Sequence, residues 1–172
     1  MGNDRIRRLA VSALLVTVML MLGYVESLVP TGVPGVKLGL SNSVLILAIV
    51  WLGIPTAFAL MVMKVLLSGF LFAGVNAMMY AFAGGLLSMI VMSVLYKTKA
   101  FSLTPIAMAG AVAHNVGQVT LAMLILQTGK LVYYLAILML AGLVTGFVTG
   151  SIATILIRRL PRSLLPKDPG KE

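Results

Sequence analysis

The side chains able to do chemistry inside this chain's apolar stretches are few, and their types suit binding. Lys64 and His114 each lie within a long apolar run. A lysine at the centre of a membrane span costs about 2.5–3.5 kcal/mol on insertion scales, so an intramembrane cation points to function by default. Gln118 lies one helical turn from His114 on the same face, and Asn115 is adjacent. Asn76 and Tyr80 share a face near the start of another run, and Glu26 closes the first. Lys37 and Asn42 belong to the connector "VPTGVPGVKLGLSN" (29–42). Lys37, Lys64 and His114 would make a cup neutral to positive, favouring an anionic or carbonyl-rich ligand. Asn42, Asn76, Asn115 and Gln118 would add directional hydrogen bonds, and Tyr80 could stack on a planar ligand. The helix start after Asn42 adds partial positive charge. Structural roles stand beside these: His114 bonded to a neighbouring backbone, and Lys64 snorkelling or paired with Glu26.

The same inventory excludes several chemistries. The four acids are Asp4, Glu26, Asp168 and Glu172, and three of them lie near the ends. Diphosphate chemistry with Mg²⁺ needs clustered carboxylates, which are missing. A Ser–His–Asp triad lacks its acid, and no P-loop is present. With no cysteine, thiolate metal sites and disulfides are excluded. The twelve methionines read as apolar filler. The chain therefore reads as neither an enzyme nor a holder of metal or cofactor.

The elements that must position these residues are membrane helices. Of 172 residues, 60% are hydrophobic and only 10% charged, with mean hydropathy +1.11; soluble domains carry about 25% charged residues. The net charge of +9 sits at the ends of apolar runs, a topology signal rather than a nucleic-acid footprint. Spans are expected at 6–28, 43–52, 55–73, 75–95, 103–126 and 131–157, with "GIPT" (53–56) as a turn. Six crossings place ten Lys and Arg residues, among them Arg5, Lys97 and Arg158, on the cytoplasmic side. Only Lys37 and Lys130 then lie outside, so the positive-inside rule puts both termini in the cytoplasm. The result is an all-α integral membrane protein with one six-helix domain over 1–160 and a basic cytoplasmic tail over 161–172. The second span, at ten residues, is only about 15 Å long. The 29–42 connector should therefore enter the bundle as a re-entrant or lid-like loop. The polar positions fall at the midplane or in the outer half, which describes an outward-facing cup. Gly142, Gly146 and Gly150 form a flat face for close helix packing, and Ala10, Ala13 and Thr17 form a small-residue face on the first span.

The stretch "VPGVKLGLSNSVLILAI" (33–49) resembles the Pro-Gly-x-Lys-Leu-Gly-Leu-x-Asn signature of the Gx transporter family, also labelled heptaprenyl diphosphate synthase component I. "HNVGQ" (114–118) is similar to that family's second recurrent motif. Related patterns occur in the substrate-binding S components of energy-coupling factor (ECF) transporters. The resemblance implies a six-helix S-component fold in a prokaryotic inner membrane, with a loop after helix one that helps cover the cup. It also implies a membrane coupling subunit and ATPases as partners, docked on a face that Ala10, Ala13 and Thr17 approximate. The function expected is a substrate-binding subunit for uptake of a small metabolite or vitamin-like precursor. The alternative is a noncatalytic membrane subunit in isoprenoid or quinone biosynthesis, or in a membrane electron-transfer assembly.

Overall fold

The computed structural model describes residues 2–29, 37 and 39–160. Most of the expected lid (30–36 and 38) and the basic tail (161–172) lie outside the described residues. What is described is helical, with no strand: α1 (Gly2–Ser27), α2 (Leu40–Ser43), α3 (Leu45–Leu52), α4 (Ile54–Ser68), a π-helical turn (Gly69–Ala73), α5 (Gly74–Thr98), α6 (Leu103–Leu126) and α7 (Leu131–Arg159).

Four stretches among the described residues are long and apolar enough to cross a membrane: Asp4–Ser27, Ile54–Thr98, Leu103–Leu126 and Leu131–Arg159. The second of these is 45 residues long, which would reach about 68 Å if straight. It is not straight. Gly74 leaves helical geometry at φ 81° and ψ 168°, a conformation that favours glycine. On either side of it the chain packs against itself: a Cβ at Gly69 would meet Met78, and one at Gly85 would meet Met61. That register belongs to an antiparallel pair folded about Gly74.

The helix boundaries follow local chemistry. Gly53, at φ 86° and ψ 162°, ends α3, and Pro55 sits in the first turn of α4, where its missing N–H costs nothing. Gln127 in the left-handed region ends α6. Only Val44 separates α2 from α3, so Leu40–Leu52 is one apolar stretch with a bend. It runs about 20 Å, longer than the 43–52 helix expected from hydropathy, because "LSN" turns helical as well.

The core forms around α3, whose Leu45, Ile46, Ala48, Ile49 and Leu52 are all buried. A helix apolar on every side belongs at the centre of a bundle. Met19 of α1, Met61 and Val65 of α4, Met92 of α5 and Ile106 of α6 complete this cluster. Along α6 and α7 the contact is close to backbone-on-backbone. A Cβ on Gly146 would lie 2.6 Å from the Met108 Cα, and one on Gly150 would lie 2.9 Å from the Thr104 Cα. The glycine face of α7 is thus spent on internal packing. Its opposite face, with Tyr133, Ile137, Leu140, Val144 and Phe147, is exposed and apolar, as a lipid-facing surface must be.

Candidate functional site

One hydrogen-bonded cluster gathers seven of the nine candidate ligand-binding residues. Glu26, at the end of α1, is 2% exposed. Its carboxylate accepts from the Leu40 N–H at 2.5 Å, the Ser41 N–H at 3.4 Å and the Ser41 hydroxyl at 3.0 Å. An acid at a helix start satisfies amides that lack intrahelical partners, so Glu26 fastens the first turn of α2 to α1.

Gln118 of α6 fastens the connector from the other side. Its Oε1 accepts from the Lys37 backbone N–H at 3.1 Å, and its Nε2 donates to the Lys37 carbonyl. The same Nε2 donates to Asn115 Oδ1 at 2.9 Å, while Asn115 Nδ2 donates to the Leu138 carbonyl of α7 at 2.6 Å. Gly39, at φ 92°, brings the connector against α6: a Cβ there would touch His114 Cδ2 at 3.4 Å and Asn115 Oδ1 at 3.6 Å.

The deepest strand of the network runs from Lys64 through Asn42 to His114. Lys64 Nζ donates to Asn42 Oδ1 at 3.4 Å, and Asn42 Nδ2 meets His114 Nδ1 at 2.9 Å. An ammonium has donors only, so Asn42 must turn its oxygen to Lys64 and its amino group to His114. His114 Nδ1 then accepts, and the imidazole is neutral with its proton on Nε2. Gly84 of α5 lies against the ring, where a Cβ would meet His114 Nδ1 at 2.6 Å. Lys64, Asn42 and His114 are all nearly inaccessible, at 3%, 1% and 2% exposure.

Lys37, in the connector between α1 and α2, places its ammonium 5.1 Å from the centroid of the Phe72 ring. Phe72 belongs to the π-helical turn and also meets Tyr24 edge to face, with centroids 5.5 Å apart. Burial pushes the Lys37 pKa down from its ordinary range, and the Glu26 charge opposes that shift.

Two candidates fall outside the cluster. Asn76 is exposed in the first turns of α5. Tyr80 is buried in a separate apolar cluster with Val119, Ala122 and Leu138. Ala10, Ala13 and Thr17 lie on an exposed face of α1, where the Thr17 hydroxyl donates to the Ala13 carbonyl at 2.8 Å. Sequence reasoning missed Ser41, Phe72 and the Leu138 carbonyl. Ser41 lies beside Asn42 and was open to notice; Phe72 and Leu138 sit in apolar runs that carry no polar signal. No group of three or more His, Cys, Asp or Glu residues that could hold a metal occurs among the described residues.

Fold and site together define an all-helical membrane protein with a buried, charged, hydrogen-bonded cluster at the junction of α1, α2, α4 and α6. The chain belongs to the family described as heptaprenyl diphosphate synthase component I, whose family model matches residues 15–156. Neither a curated protein nor a solved structure matches it.

Proposed function

We propose that the chain is a substrate-binding membrane subunit that takes up a small metabolite or vitamin-like precursor. The observation that carries this reading is the cluster itself. Lys37, Lys64, Glu26, Asn42, His114, Asn115 and Gln118 come from four separate parts of the chain and meet in the protein interior. Apolar packing alone needs no such group, and each buried charge costs stability. The chain crosses the membrane six times in this reading, with α2–α3 as the second crossing and the fold at Gly74 separating the third from the fourth. Both termini are cytoplasmic by the positive-inside rule, and the cluster faces the outer side of the membrane. Energy comes from a coupling subunit and ATPases of the ECF type, docked on the Ala10, Ala13 and Thr17 face. The test is equilibrium binding of candidate metabolites by the purified protein, with Lys64→Ala and His114→Ala compared. Unchanged affinity in both variants removes these residues from the site.

A second reading is a noncatalytic membrane subunit of prenyl diphosphate synthesis, which the family description favours. Two apolar grooves suit it. One, of about 330 Å³, runs between α5 and α6; the other, of about 280 Å³, runs between α4 and α5, and they share Ala83 and Leu121. Such a strip fits a prenyl chain. Copurification with a soluble prenyl synthase supports this reading, and copurification with ATPases and a coupling subunit supports the first.

A further inference from the structure

Lys64 is a buried cation with too few partners. Its ammonium offers three N–H donors, yet among the described residues its one hydrogen bond is the 3.4 Å contact to Asn42, at the long limit for such a bond. The obvious counter-ion, Glu26, is already committed to three donors around Leu40 and Ser41. Its charge acts on Lys64 only through space. His114, accepting at Nδ1, contributes no charge. The cluster therefore holds Lys37 and Lys64 against Glu26, an excess of one positive charge inside the bundle. Buried charges in proteins are paired or bonded to full capacity. Among the described residues this one is neither, although Asn42 and His114 hold its neighbourhood in place.

We propose that the missing partner is supplied by the ligand: the site takes a small molecule with a single oxyanion head, which the Lys64 ammonium receives beside Asn42. This rests on the ligand-binding reading above and narrows it to ligands with one anionic head. Carboxylates and phosphates share the required chemistry.

The test uses the full chain in phosphatidylcholine nanodiscs and follows its thermal midpoint. Acetate, benzoate and inorganic phosphate are titrated against acetamide, benzamide and chloride at constant ionic strength. At least one oxyanion should raise the midpoint by about 2–4 °C, while the matched amides leave it unchanged. A carboxylate response and a phosphate response separate the two head groups. Lys64→Met, which leaves Lys37 and Glu26 balanced, should raise the midpoint without any anion and abolish the response to added oxyanion. A wild type that ignores every oxyanion overturns the proposal, whatever the variant does. So does a Lys64→Met protein that still responds. A response only when phosphatidylglycerol replaces phosphatidylcholine keeps oxyanion recognition but assigns it to a lipid, which refutes the uptake reading instead. A neutral or cationic metabolite bound tightly at Lys64 keeps the uptake reading and refutes the anionic head.

Discussion

Replacing Glu26 with Gln tests the charge balance of the cluster directly. The carboxylate now accepts from the Leu40 N–H, the Ser41 N–H and the Ser41 hydroxyl. A glutamine amide has one oxygen. If that oxygen keeps Leu40, the amino group faces Ser41; the hydroxyl can rotate to accept, but the Ser41 N–H is stranded. Losing a charged acceptor costs about 1.5–3 kcal/mol, and an unsatisfied buried donor costs about 1–3 kcal/mol. The substitution also raises the excess of buried positive charge from one to two. A total of about 3–5 kcal/mol follows. It can be read from unfolding in lipid–detergent micelles titrated with SDS and followed by circular dichroism. The double variant sharpens the result. With Lys64→Met already present, Glu26→Gln takes a balanced cluster to an excess of one rather than from one to two. Its cost should fall by about 0.5–3 kcal/mol, the coupling usual for residues in one network. A Glu26→Gln cost below about 1 kcal/mol would refute the capping role of the carboxylate. An unchanged cost in the Lys64→Met background would refute the charge argument.

Gln118→Leu removes both bonds to the Lys37 backbone and the one to Asn115; it should destabilise by about 2–4 kcal/mol and speed amide hydrogen exchange at Lys37, read by mass spectrometry. Gly146→Ala places a Cβ 2.6 Å from the Met108 Cα, where no flexible side chain can give way, so α7 must move off α6 at a cost of about 1–3 kcal/mol. Gly129→Ala is the matched control: a Cβ there meets nothing within 4 Å, and its effect should stay within about 0.5 kcal/mol. Asn76→Ala, at an exposed position outside the cluster, should likewise change SDS unfolding by no more than about 0.5 kcal/mol.

The all-helical membrane class was legible because it rests on composition and on the length of apolar runs, both local quantities. So was the break before α4, since Gly53 and Pro55 carry their conformational preferences with them. Local rules failed where an answer needed two helices at once. Asn76 and Tyr80, four residues apart, do share a helical face by spacing, yet the neighbours that bury Tyr80 lie on α6 and α7 and leave Asn76 in the open. Glu26 was visible as the lone acid of the apolar region, but its contacts at Leu40 and Ser41 depend on how the connector returns to α1. Phe72 had no signal at all. Its place under the Lys37 ammonium is set by the π-helical turn, and nothing in "GFLFA" distinguishes it from lipid-facing aromatics.

Two features that read as separate in the sequence, the glycine-rich faces and the polar pair at His114 and Asn115, are one device in the fold. A Cβ on Gly84 of α5 would lie 2.6 Å from His114 Nδ1, and one on Gly142 of α7 would lie 2.8 Å from Asn115 Nδ2. On both sides of α6 the residue opposite a polar side chain has none of its own. Gly117 lets α6 approach the Ala83 carbonyl as closely, with a notional Cβ 2.8 Å away. Polar side chains in a bundle interior need partners within about 3 Å, and in the absence of water these must be fixed protein groups. Helices spaced by Leu or Phe would stand too far apart for Asn115 to reach the Leu138 carbonyl. The glycines set the helix separation, and that separation makes the hydrogen bonds possible. Gly142→Ala should therefore break the Asn115–Leu138 bond as well as crowd the helices, and so cost more than Gly146→Ala, which crowds them alone. Equal costs for the two would mean that packing, and not the polar network, sets the distance between α6 and α7.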